Sequence, residues 1–222
     1  MDTARRLRRG HPGTGPPVSM NVSMKILSIS DYVEPLLYDR FEPERFKGVD
    51  LIISCGDLPP EYLSFLANGL GVPLYYVHGN HDIRHQSKPA GNCTDIHARL
   101  VRFRGINILG LEGSYWYNGG PHQYTENQMR MIVWKLRPGI WLNGGIDMVV
   151  THAPPRDIHD QQDRCHRGFK TFRWIIGKYA PRFFVHGHIH FDASDHSLRE
   201  STVNRTRVIN TCGYYLFEVT HA

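Results

Sequence analysis

The sequence predicts an α/β fold in which two facing, mixed β-sheets are sandwiched between helices. Two patterns point there. From residue 25 to residue 187, short runs rich in β-branched and aromatic residues alternate with amphipathic stretches of helical period. Beyond Gly187 the alternation stops and only strand-like segments follow. Strands joined by helices, then strands joined by turns, bury all their apolar faces when two sheets stack with the helices outside.

The strands are expected at 25–30 (KILSIS), 49–54 (VDLIIS), 73–78 (PLYYVH), 106–111 (INILGL), 147–152 (DMVVTH) and 182–187 (RFFVHG), each ending at a Gly, a Pro or a polar residue. Residues 99–111 read as a hairpin turning near Arg104 and Gly105. A first helix starts at Pro59-Pro60, which suit an initial turn, and carries Leu63, Leu66 and Leu70 at spacings of three and four. Thr125 with Gln128 forms a capping box ahead of the stripe Met129, Ile132, Val133 and Leu136. Phe169, Phe172, Ile176 and Tyr179 mark a third helix. At the end, 196–201, 204–210 and 214–220 alternate polar and apolar residues, as in a meander with one solvated face.

With 222 residues, 41% hydrophobic and 21% charged, the chain suits a soluble globular protein with a substantial core. No apolar run approaches the roughly 18 residues of a membrane span, so no membrane is expected as a partner. The four cysteines (Cys55, Cys93, Cys165 and Cys212) are scattered without a CxxC pair, which predicts a reducing cytoplasm rather than a disulfide framework. Of the net charge of +5, residues 1–23 contribute +3 through Arg5, Arg6, Arg8 and Arg9 against Asp2. The other 199 residues hold 22 basic and 20 acidic side chains, only +2. Residues 1–23, rich in Gly and Pro, read as a disordered basic tail preceding one domain at 24–222, with Met20 or Met24 as alternative starts. The near-neutral body lacks the basic track that long nucleic acid requires.

Chemistry collects at the ends of the apolar strands. Asp31 follows SIS, Asp57 follows LIISCG, and Asn80, His81 and Asp82 follow YYVHG. His152 ends MVVTH, and His186, His188 and His190 end FFVHGHIH. In open α/β sheets, ligands gather outside the carboxyl ends of the strands, so these groups share one rim. Oxygen donors mixed with imidazoles suit Mn, Fe, Zn or Ni better than Ca. The donors are too many for one ion. Two ions about 3.5–4 Å apart, bridged by a carboxylate and a hydroxide, would use them all.

In this order, Asp31, Gly56-Asp57, Gly79-Asn80-His81-Asp82, His152 and Gly187-His188-Ile189-His190 resemble the calcineurin-like metallophosphoesterases, whose blocks read D-x-H, GD, GNH(D/E), H and GHxH. The resemblance runs from about Met24 to Thr220 and implies a four-layer αββα fold. It implies two divalent metal ions, manganese or iron foremost, with zinc and nickel as alternatives. Asp57 would bridge them, Asp31 and His190 would bind the first, and Asn80, His152 and His188 the second. His81 would meet the leaving group as general acid, with Asp82 holding its ring. His186 lies outside the pattern, and Gly187 lets the backbone approach the site. Val33 is the departure: the family has a histidine there, so the first site is expected to bind more weakly.

The resemblance implies hydrolysis of a phosphoester, and the compact chain resembles the small phosphodiesterase members; a cyclic nucleotide is among the candidate substrates. The alternatives are a phosphomonoesterase, or a degenerate member serving as a protein-binding scaffold. His78, inside an apolar run, is expected to be a satisfied core residue. Arg164 and Arg167, in the loop after His152, and the aromatic loop 112–124 are further candidates for substrate contact.

Overall fold

The computed structural model describes residues 22–83, 91, 93–191 and 199–221; most of the expected tail lies outside them. The first sheet has the order β13-β1-β2-β3-β4, formed by Gly213–His221, Val22–Ser30, Val49–Ser54, Leu74–Tyr76 and Cys93–Asp95. The second has the order β11-β12-β10-β9-β6-β5, formed by Glu200–Val203, Thr206–Asn210, Phe183–His186, Met148–Thr151, Ile106–Leu111 and Arg99–Phe103. A small pair, β7 (Ser114–Tyr115) and β8 (Gln123–Tyr124), lies outside both.

Period-two alternation places each layer. On β1 and β2, Ile26, Leu51 and Ile53 face Ile108, Val150 and Val185 of the second sheet in one buried cluster. Their neighbours Leu27, Ile29 and Ile52 point outward onto Leu63 and Leu66 of helix α1 (Pro60–Leu70). On the far side, Leu109, Val149 and Phe184 pack against α2 (Glu126–Leu142) and α3 (Lys170–Tyr179). The result is four layers: helix, sheet, sheet, helices.

The expected capping box is present, with Thr125 Oγ1 accepting from the Gln128 N–H and the Gln128 side chain reaching back to Thr125. The hairpin at 99–111 turns where predicted, with Arg104 and Gly105 both at positive φ. Two expectations change. The run 73–78 is a strand only to Tyr76; Val77 still donates to the Ser54 carbonyl at 3.1 Å, and from His78 the chain turns into the GNHD block. The C-terminal meander is broken: β11 and β12 pair as a hairpin, but β13 crosses to the other sheet and runs antiparallel to β1 along its full length. The beginning of the expected strand 196–201 lies outside the described residues.

Candidate metal centre

β1, β2 and β3 run parallel in one sheet, and β9 and β10 run parallel in the other. Their C-terminal ends therefore deliver side chains from distant positions to a common rim. Two backbone links close it across the sheets. The His188 N–H donates to both carboxylate oxygens of Asp31 at 3.0 Å, and the His152 ring lies 2.8 Å from the Cys55 carbonyl through Nδ1. Asp31, Asp57 and His188 each adopt positive φ (72°, 57° and 68°), immediately beyond or near their strand ends. Such conformations are uncommon without glycine and cluster at functional sites.

Two glycines make the close approach possible. A Cβ on Gly79 would lie 2.1 Å from Asp57 Oδ1 and 2.7 Å from the His152 ring. One on Gly187 would lie 2.4 Å from Ser30 Oγ and 2.8 Å from Asp31 Oδ2, in keeping with the role expected of that glycine.

One donor atom each from Asp57, His152 and His188 lies within 4.8 Å of the others. The protonation pattern of the imidazoles follows from their partners. Carbonyl oxygens only accept, so His152 Nδ1 carries its hydrogen toward Cys55, and His188 Nε2 carries its hydrogen toward Cys165, 2.8 Å away. His152 Nε2 then turns a lone pair to Asn80 Oδ1 at 3.1 Å and Asp57 Oδ2 at 3.3 Å. Three acceptors converge there, a place that a proton or a metal ion can fill. Burial alone would lower His152, but the Asp57 carboxylate overrides it and pushes it up to about 9, so that a proton fills the place. Burial, reinforced by the neighbouring His152, holds His188 down at about 3, which keeps its Nδ1 lone pair free. Burial also works to raise Asp57, yet His152 and the His81 N–H, which donates to Oδ1 at 2.8 Å, hold it well below the usual carboxylate range. A donor set of this kind, with each imidazole anchored through its other nitrogen, fits a divalent cation.

Asp31 and His190 sit beside this group, with His190 Nε2 3.9 Å from Asp31 Oδ1 and its side chain 68% exposed. Burial raises Asp31 above the ordinary carboxylate value. Val33 packs into the outer core with Leu37 and supplies no donor. His81 is exposed on its turn. The Asp82 carboxylate accepts the backbone N–H groups of Gly79 (2.7 Å), Asp57 (2.8 Å) and Leu58 (3.1 Å), which fixes the two loops together.

Sequence reasoning missed two partners. Tyr117 accepts from Asn80 Nδ2 at 3.2 Å and so orients the amide; in the sequence its loop stands out only for its aromatic content. The Cys165 carbonyl is a backbone group and carries no sequence signal at all. His186 is fully buried, with His159 Nδ1 2.9 Å from its Nε2 and its own Nδ1 directed to the Gly187 carbonyl, so it faces away from ligand duty. His78 pairs with the buried Glu112 at 2.9 Å, and His122 lies 3.1 Å from the other oxygen of that carboxylate, which also accepts the Tyr124 hydroxyl. The His78 and His122 rings stack in parallel, 4.6 Å apart. Donor atoms of His78, Glu112 and His122 also lie within 4.8 Å of one another, and hydrogen bonds with both rings and from Tyr124 hold the Glu112 carboxylate.

The family model described as calcineurin-like phosphoesterase matches residues 27–192. Among solved structures, one crystal structure aligns with TM-score 0.65 and 17% identity, covering 89% of this chain and 95% of its own. The TT1561 protein of Thermus thermophilus aligns with TM-score 0.58 and 16% identity, covering 86% of this chain and 90% of its own. A dimetal phosphatase from Danio rerio aligns with TM-score 0.57 and 10% identity, covering 87% and 91%. No curated protein matches the chain by sequence. The four-layer fold, the rim of acidic, amide and imidazole donors and the family match over most of the chain agree, and the chain belongs to the calcineurin-like phosphoesterases.

Proposed function

We propose that this protein hydrolyses a small phosphodiester, cyclic nucleotides included, at a centre holding two divalent cations. The observation that carries the proposal is the convergence of Asp57 Oδ2, Asn80 Oδ1 and His152 Nε2 in one pocket, beside the His188 ring. Asp57 is the shared ligand, Asn80, His152 and His188 hold one cation, and Asp31 and His190 hold the other. Manganese or iron suits this mixture of oxygen and imidazole donors, with zinc and nickel as alternatives. The Asp31 side is the weaker one, because Val33 contributes nothing. Bound there, the cations supply Lewis acidity and bring the pKa of water to about 7.

The chain's own residues do the rest. Asp57 balances the charge that lets two cations lie close together. The Cys55 and Cys165 carbonyls keep both imidazoles in the ligating tautomer. Asp82 and Gly79 hold the Asp57 and Asn80 loops in contact. His81 stands exposed with its backbone tied to Asp57, and its ring hands a proton to the departing oxygen as the P–O bond breaks. A near-neutral body fits a small substrate better than long nucleic acid. The four free thiols fit the cytoplasm as the compartment.

Comparing initial rates on a chromogenic diester, its monoester, and 2′,3′- and 3′,5′-cyclic nucleotides tests the substrate class. A preference for diesters is expected, and a clear monoester preference reverses the assignment. Asp57→Asn removes charge from both cation positions and abolishes turnover. If the unmodified protein hydrolyses nothing with manganese, iron, nickel or zinc supplied, the scaffold alternative replaces the enzymatic one.

A further inference from the structure

Helix α2 carries two apolar stripes where a surface helix ordinarily has one. Met129, Val133 and Ile140 form the inner stripe and are buried on the second sheet. On the opposite side, Met131, Trp134, Trp141 and Leu142 point into solvent, 60%, 66%, 80% and 74% exposed. With Pro138 between them they follow at helical spacings and form one continuous ridge. Trp174 of α3, also exposed, lines a groove with Trp134, so three of the chain's four tryptophans stand on one face.

The charge around this ridge is predominantly positive. Arg130, Lys135 and Arg137 flank it on α2, and Lys170, Arg173 and Lys178 belong to α3. Glu126 is the one acidic residue in the two helices, and its carboxylate already accepts the backbone N–H groups of Lys170 (3.0 Å) and Thr171 (2.7 Å). Asp157, in the loop before α3, lies 3.9 Å from Arg173, and no other acid of either helix offsets the remaining five cations.

We propose that the α2–α3 face docks on an anionic phospholipid surface, with the tryptophans in the headgroup layer and the basic side chains on lipid phosphates. Tryptophan favours the membrane–water interface, and protruding apolar side chains enter that layer without needing a complementary cavity. Lys and Arg beside them add attraction to anionic lipid. A second copy of the chain is the poorer occupant, because a two-fold contact would set the same cations against each other. No helix among the described residues is long and apolar enough to cross a membrane, so the attachment is to the surface. This departs from the sequence expectation that no membrane is involved, and it is independent of the hydrolytic reading.

The test is co-sedimentation of the full chain with vesicles of phosphatidylcholine mixed with phosphatidylglycerol, beside vesicles of phosphatidylcholine alone, with tryptophan emission recorded. Expected are binding to the anionic vesicles only, a blue shift on binding, and weakening as salt is raised. The double substitution Trp134→Ala/Trp141→Ala lowers the partition coefficient by about tenfold or more, and Arg130→Gln/Arg137→Gln lowers it as well. Both variants keep the parent's melting temperature and its hydrolysis of a soluble substrate, since these side chains are exposed and none belongs to the rim. Absence of binding overturns the proposal, as does binding that survives both double substitutions, which would belong elsewhere in the chain. A concentration-dependent dimer abolished by the tryptophan substitutions, without vesicle binding, makes the face a self-interface and overturns it equally.

Discussion

His81 and Tyr117 show how differently two residues of one site reveal themselves. His81 was legible because it sits in a short block, Gly-Asn-His-Asp, at the end of an apolar run. The work proposed for it is protonating the leaving oxygen, which usually contributes about a hundredfold to ten-thousandfold in rate. His81→Ala is therefore expected to slow esters of poorly acidic alcohols severely and nitrophenyl esters little. Equal losses across a leaving-group series would remove the residue from that role. Tyr117 lies 37 positions from Asn80, and nothing local ties the two; only the folded loop brings its hydroxyl to the amide. Because Tyr117 acts through Asn80, Tyr117→Phe is expected to weaken manganese binding by about tenfold, within the range usual for partners of metal ligands. Titration calorimetry reads this directly, and an unchanged affinity would reduce Tyr117 to packing.

At the scale of elements, local pattern was enough wherever pairing and burial are local. The 99–111 hairpin turns at Arg104-Gly105 and the capping box opens α2 because both are written within a few residues. β13 defeats the same approach: its alternation suits either sheet, and its choice of β1 depends on the whole register Val22 to Ser30. The loop 112–124 is another non-local case, since Glu112 ties β6 to His78 beyond β3 and to His122 and Tyr124 in the loop. Burial would raise Glu112, but the His122 and His78 hydrogen bonds outweigh it and hold the carboxyl far below its ordinary 4.5. A depressed acid stabilises the fold fully above its unfolded value, and the contribution is lost as pH falls through the folded value. The unmodified protein is therefore expected to lose more stability than Glu112→Gln as pH is lowered below about 4.5. Urea unfolding of both from neutral to acidic pH checks this; parallel curves would contradict it.

At the scale of the molecule, topology does the assembling. Five strand ends in two facing sheets open on one rim, which is why residues as far apart as Asp31 and His188 share hydrogen bonds. The order of the blocks along the chain made that rim legible, because parallel strands send all their C-terminal ends the same way. The inner stripe of α2 was legible too, as Met129, Ile132, Val133 and Leu136; what stayed hidden was that Met131, Trp134, Trp141 and Leu142 on its other side remain uncovered, because what packs over a helix face is not local. The central claim is that the rim grips divalent cations. Anomalous scattering from crystals soaked in manganese tests it most directly. The account predicts a strong peak among Asp57, Asn80, His152 and His188, and a weaker one beside Asp31 and His190. Crystals with no anomalous density next to Asp57 would contradict it.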